Sequence, residues 1–330
     1  MERPSRKGFK LGAGALLLGA LIYSAAAYLI LDWYLGTAAS MAVTLTFLVT
    51  VPAALASFIS FLADPERDHG LLWHLRLALL PLLAAIVGGV LLQEGVICIL
   101  MLLPLWSISV FTAASITYFL RRRKRRTDRL RASALLLLPA ITAQAEIAAP
   151  LPVSRYEVGE SIVIDAPPER IWPLLVSIPH IQPREGRWNV THDLLGVPRP
   201  TQALLETRGS KAVRLAQWGP DVRFEERILE SSHESSLRWT FVFTDNSVRD
   251  HTDRHIAPDG MHLTIREGSY RLTPLPGGRT KVTLTTRFDL RSPVNWYAAW
   301  WGEWLLRDIQ GNVLQVIKDR VELPAEARKA

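Results

Sequence analysis

Residues 161–172 read SIVIDAPPERIW, and the change of period inside this stretch decides the fold of the C-terminal half. Leading into it, Val158, Glu160, Ile162 and Ile164 alternate with Glu157, Gly159, Ser161 and Val163, the two-residue repeat of a strand. Asp165 ends the run. Ala166-Pro167-Pro168-Glu169 then opens a helix, because proline is tolerated in a first turn and an acid there complements the helix dipole. Ile171, Trp172, Leu174, Leu175 and Ile178 give that helix one apolar face, and Pro179 stops it.

Downstream, strand patterns cover 202–207, 212–218, 222–229, 237–243, 262–273 and 280–290. The last two flank Pro274-Leu275-Pro276-Gly277-Gly278-Arg279, a hairpin signal, since glycine supplies the positive φ of a tight turn. After Pro293, apolar residues recur at helical spacing from Val294 to Val321. The order is strand, short helix, antiparallel strands, long helix. It predicts an α+β domain in which a curved antiparallel sheet wraps around a long C-terminal α-helix and leaves an apolar cavity between them.

The stretch SIVIDAPPERIW resembles the opening of the SRPBCC superfamily, the START-like, helix-grip group of polyketide cyclases, lipid carriers and pollen-allergen-like proteins. Phe224–Glu230 (FEERILE), Gly268–Val282 (GSYRLTPLPGGRTKV) and the helix after Pro293 fit its later elements. The resemblance covers about 156–323. It implies a hydrophobic ligand held under the long helix, and it carries over no catalytic residue and no cofactor.

Upstream of Val153 the chain is of another kind. Lys and Arg outnumber Asp and Glu by 14 to 8 over residues 1–153, against 24 to 23 in the rest, so the net charge of +7 belongs almost wholly to the apolar half. That distribution argues against nucleic acid as a partner of the C-terminal half. A bilayer core of about 30 Å needs roughly 20 apolar residues in a helix. Residues 11–31, 36–63, 71–92 and 95–120 meet this need, the third interrupted only by His74 and Arg76 near its start. Basic residues before the first span, around Arg67, and through 121–131 then fall on one side, which makes the N-terminus cytoplasmic.

The expected layout is an all-α transmembrane region over 1–131, with a basic cytoplasmic segment at 121–131. A fifth helix and linker over 132–153, a folded domain over 154–323 and a tail over 324–330 complete it. Segment 132–153 carries Pro139, Gln144 and Glu146 and has two readings. As a fifth span it places the domain outside the cytoplasm; as an interfacial helix it leaves the domain inside. The single cysteine, Cys98, lies in an apolar run, which rules out an internal disulfide or a thiolate zinc cluster.

The inward face of the sheet should combine Phe224, Trp239, Phe241, Tyr270 and Phe288, with Trp301 above them, as core or as a ligand wall. Glu226 shares the register of Phe224. Alternation points it inward, where Arg266 or Tyr270 would be its partner, and a local bulge would turn it out instead. His251, Asp253 and His255 lie at i, i+2 and i+4 and would face one side if extended. That arrangement suits an acid–base pair or zinc, while the polar neighbours suit a solvated loop, and no metal is assigned. Trp296, Trp300 and Trp304 line one side of the long helix, for contact with a membrane or with the loop around Trp188.

These residues support three readings of function. The first is a membrane-tethered domain that binds a hydrophobic small molecule or lipid, with no cofactor. The second is a cyclase, dehydratase or hydrolase using His251, Asp253 and His255, or Glu226 with Tyr270. The third is a docking or sensory membrane protein with an unidentified protein partner. The sequence has no Gly-rich phosphate loop and no nucleophile elbow.

Overall fold

Two units divide the chain, Met1–Leu151 and Pro152–Ala330. The computed structural model describes residues 44–64, 67–91, 96–123, 137–209, 211–252 and 257–323, with scattered positions between 14 and 29. Most of the expected first span, the basic residues beyond 123, Asp253, His255 and the tail lie outside the described residues.

The first unit contains α1 (Thr46–Ala63), α2 (Leu71–Leu77), α3 (Leu79–Leu91), α4 (Val96–Arg123) and α5 (Leu138–Ala148). Among the described residues only α1 and α4 are long and apolar enough to cross a membrane. The expected span over 71–92 is instead two helices that meet at Ala78. Pro81 accounts for the break: it has no N–H to offer the Leu77 carbonyl, and its ring crowds that carbonyl. Within 132–153 the described helix is α5, whose 11 residues extend about 16 Å at 1.5 Å per residue. Glu146 on α5 accepts hydrogen bonds from the Leu45 and Thr46 backbone N–H groups and from the Thr46 hydroxyl. An acid that reads as a flaw in an apolar segment thus serves the unpaired N–H groups at the start of α1.

In the second unit seven strands form one antiparallel sheet: β1 (Val153–Ile164), β2 (Pro200–Arg208), β3 (Lys211–Trp218), β4 (Val222–Ser232), β5 (Ser236–Val242), β6 (Leu263–Leu275) and β7 (Arg279–Arg291). Their spatial order is β1-β7-β6-β5-β4-β3-β2. The β6–β7 turn has Gly277 and Gly278 at φ +81° and +71°, a conformation that disfavours other residues. The helices are α6 (Pro168–Val176), the short α7 (Val190–Asp193) and α8 (Ser247–Thr252), and the long α9 (Asn295–Glu322).

Helix α9 lies against β1 and β7 and is fastened along its length. Asn295 Nδ2 donates to the Pro152 carbonyl at 2.8 Å, and Gln310 Nε2 donates to Thr286 Oγ1 at 2.9 Å. Near its end, Lys318 Nζ donates to the Val163 carbonyl and Arg320 pairs with the buried Glu185 at 2.6 Å. Both cations also suit the negative end of the helix dipole. Loop 185–199 is strapped to the same helix, with Asn312 Oδ1 accepting from Arg187 N and Arg199, and Asp308 accepting from Thr191 N.

The core between sheet and helix joins Ile164, Ile171, Leu175 and Trp239 with Leu314 and Ile317. One row across the sheet runs Val158, Thr286, Gly268, Trp239 and Ile228 on β1, β7, β6, β5 and β4. The Trp239 indole lies over Gly268, and any Cβ at position 268 would overlap it. Gly268→Ala is therefore an overpacking change, expected to cost about 1–3 kcal/mol. Urea unfolding followed by tryptophan fluorescence measures it, and an unchanged midpoint would contradict the packing described.

Candidate ligand-binding site

The inner face of β3–β6 is lined with rings, two of which, Trp239 and Tyr270, share a core with Leu314 and Ile317 of α9. Trp218 on β3, Phe224 on β4, Phe241 and Phe243 near the end of β5, then Trp239 and Tyr270 touch in series. Centroid separations are 5.8 Å for Trp218–Phe224, 6.0 Å for Phe224–Phe241, 6.1 Å for Trp239–Phe241 and 5.2 Å for Trp239–Tyr270. Alternation along each strand puts these side chains on one face. Phe224, Trp239 and Tyr270 are buried, while Trp218, Phe241 and Phe243 keep part of their surface open. Phe288 belongs to a separate cluster under the start of α9, with Val158, Leu290 and Ala299.

A buried ion pair stands against this wall. Glu226 points inward, as its register with Phe224 predicts, and its partner is Arg214, directly opposite on β3. Arg214 also donates to the Leu175 carbonyl, and its guanidinium carbon lies 4.6 Å from the Trp239 ring centroid and 5.6 Å from that of Tyr270. Burial alone pushes the Arg214 guanidinium down; the Glu226 carboxylate reverses this, so its pKa stands above the usual value. Burial pushes the Tyr270 phenol up to about 12, against a smaller downward pull from Arg214. Tyr270 is thus a neutral phenol at ordinary pH, a hydrogen-bonding group rather than a base.

Arg266 is not the partner of Glu226. The β6–β7 register shifts between Ile265 and Glu267, and this bulge turns Arg266 out of phase with Tyr270. Its exposed side chain meets Asp289 at 2.8 Å on the outer face. His251 is not on an extended segment either. It lies in α8, which begins where the Asp245 side chain accepts from Ser247 N, and its ring bonds the Ser247 carbonyl at 2.9 Å. A helix separates i from i+2 by more than half a turn, so the one-sided geometry expected for His251 with Asp253 and His255 requires a backbone that His251 does not have.

Two buried polar atoms have no partner among the described residues: Trp239 Nε1 at the wall and Gln310 Oε1 on α9. Gln310 is held above Thr286 and the Val158 carbonyl, and Trp239 covers Gly268, the neighbour of Thr286 in the same row. A donor and an acceptor thus belong to side chains packed over adjoining positions of one row. Groups of this kind demand a water or a polar atom of a bound molecule. Trp301 Nε1, on α9, is buried and unpartnered as well.

Along α9, Trp296, Trp300 and Trp304 are 70%, 61% and 40% exposed. Trp188 is 69% exposed and so does not bury them. Sequence reasoning missed Arg214 and Gln310. The signal for Arg214 was its in-phase position with Ala212, Ala216 and Trp218 on one strand.

The model of the family described as polyketide cyclase / dehydrase and lipid transport matches residues 155–322. Similar solved structures include truncated norcoclaurine synthase from Thalictrum flavum, at 9% identity over 53% of this chain and 99% of that one, with a TM-score of 0.35. The Zhui aromatase/cyclase from Streptomyces sp. aligns at 14% identity over 52% and 98%, TM-score 0.31. A START superfamily protein from Mycobacterium smegmatis aligns at 11% over 50% and 97%, TM-score 0.32. No curated protein matches the chain.

Removing Arg214 alone strands a buried carboxylate, so Arg214→Met should cost about 3–5 kcal/mol, whereas Arg214→Met combined with Glu226→Leu should recover most of it. Equilibrium unfolding of the four proteins of this double-mutant cycle measures the coupling, and additive losses would refute it.

Proposed function

This chain belongs to the polyketide cyclase/dehydrase and lipid-transport family, and on that premise we propose that its second unit binds a hydrophobic small molecule or lipid whose polar group is read at Trp239 and Gln310. The observation that supports this reading is a run of half-covered rings beside Trp239, whose indole N–H has no partner among the described residues, with the unpartnered Gln310 Oε1 over the next position of the same row. Apolar ligand area leaving water contributes about 25 cal/mol per Å², and the two polar atoms orient what the rings hold. Sequestration requires no acid–base chemistry, and in it Tyr270 acts as a neutral hydrogen-bonding group.

The first unit we read as a multi-pass membrane anchor. Asp64, His74 and Arg121 meet at one end of α1, while Thr46 and Glu146 meet at the other, about 27 Å away for 18 residues. With the basic residues from Arg121 onward on the cytoplasmic side, the Glu146 end lies opposite, and a chain leaving α5 there puts the ligand-binding unit outside the cytoplasm. The exposed tryptophans of α9 suit the interface of such a membrane, where an indole keeps its ring in hydrocarbon and its N–H wet.

Native mass spectrometry of the Pro152–Ala330 unit, purified without detergent, tests the binding. A discrete added mass is expected, and Trp239→Phe should weaken its retention about fivefold, the worth of one neutral hydrogen bond. A clean mass after exposure to a mixture of lipids and hydrophobic compounds would overturn it. For the surface, the triple change of Trp296, Trp300 and Trp304 to Ser should abolish co-sedimentation of this unit with phosphatidylcholine vesicles. Unchanged sedimentation would leave those residues without a membrane role.

A further inference from the structure

The first unit gathers charged side chains where α1 ends, α2 begins and α4 runs out, and the ligand-binding reading uses none of them. Asp64, buried just after α1, accepts from the Asp68 backbone N–H at 3.0 Å; its two oxygens face His69 Nδ1 at 3.1 Å and His74 Nε2 at 3.2 Å. The carboxylate is thereby spent on holding two imidazoles, and His69 is further fixed by stacking on Trp73 at 4.0 Å.

Three guanidiniums surround that group. Arg121 is buried and donates to the Ser60 carbonyl at 3.1 Å and to the Asp64 carbonyl; Arg67 donates to the Arg121 carbonyl at 2.9 Å. Arg122 lies 5.0 Å from the Tyr118 ring centroid at the exposed rim. With Asp64, His69, His74 and Tyr118, the three arginines line a single cleft. Among the described residues that line it, the fixed charge is three cations against one anion.

Two deeply buried nitrogens of the residues that line the cleft have no partner among the described residues: His74 Nδ1, on a residue 1% exposed, and Arg121 Nε, on one 6% exposed. Arg121 Nε–H is a donor in every protonation state. His74 Nε2 is turned to Asp64, which leaves Nδ1 as the ring's other polar atom beside the arginines. Guanidiniums present planar, multiple donors suited to tetrahedral oxyanions, and their excess repels a metal cation.

We propose that this cleft holds a phosphate group, with Arg121 and His74 at its floor and Arg67 and Arg122 at its rim. The phosphate is either inorganic phosphate or the phosphodiester of an anionic lipid. Only the lipid source rests on the membrane reading of the first unit.

The test uses the full chain in a non-ionic detergent, with Arg122→Gln as the variant and Arg122→Lys, which keeps the charge, as its control. Thermal midpoints are recorded in inorganic phosphate and in chloride of equal ionic strength, and native mass spectra are taken after incubation with phosphatidylglycerol or phosphatidylcholine. A midpoint raised by phosphate over chloride, with the apparent affinity weakened about tenfold in Arg122→Gln and largely restored in Arg122→Lys, supports the site with free phosphate as its occupant. No phosphate shift, but retention of phosphatidylglycerol over phosphatidylcholine that Arg122→Gln loses, supports it with lipid as the source. If wild type and Arg122→Gln respond alike to both, or neither responds to either, the proposal is overturned. The phosphate arm involves no membrane, and ligand binding by the second unit is read on a separate fragment, so each reading fails by itself.

Discussion

One helix cannot cover seven strands. A helix with its side chains is about 10–12 Å wide, whereas seven strands at about 4.8 Å spacing extend roughly 29 Å across. Helix α9 lies against β1 and β7 and shares a core with Leu237 and Trp239 of β5, so the inner face of β3, β4 and the end of β5 must find other cover. Helix α6 and the strapped loop 185–199 supply part of it. The remainder is the aromatic wall, where Trp218, Phe241 and Phe243 stay half open. The apolar surface needed for a ligand is thus a consequence of the geometry of helix on sheet, and the sequence only chooses which residues occupy it.

That division explains what could be read from the sequence alone. The β1–α6 junction, the Gly277-Gly278 hairpin and α9 are local features, each written in period, proline or glycine, and each stands where those signals put it. Strand register is set across the sheet and left no such mark. Arg266 reads as inward by counting from Tyr270, and a one-residue bulge reverses it. Arg214 stands in phase with Ala212, Ala216 and Trp218, but its partner Glu226 is visible only when β3 is laid beside β4. Gln310 sits on a helix of mixed polarity, and only the approach of Thr286 and Val158 shows why a buried amide is tolerated there. For His251, the run of Asp, Asn and Ser around it favours local capping over extension, a competition that spacing alone does not weigh.

The polar residues of the first unit make a related point. Glu146 looks like a defect in an apolar segment, and Asp64 and Arg121 lie just beyond apolar stretches, yet each serves backbone groups or neighbouring side chains where a helix ends. Glu146 answers N–H groups at the start of α1, and Arg121 answers carbonyls at its finish. Charges in such segments persist because helix ends leave unpaired groups that apolar residues cannot satisfy.

The pairing of β1 with β7 carries a consequence for how this chain is made. Ile164 lies opposite Thr280 and Val153 opposite Arg291, so the first strand of the sheet waits for the last one to leave the ribosome. Until then β1 is an unpaired edge, and β2 through β6 can close only the opposite part of the sheet by successive hairpins. Closing so long a loop before its contacts repay the entropy is slow. An N-terminal strand in this state exposes Val158, Ile162 and Ile164 to chance pairing with other chains.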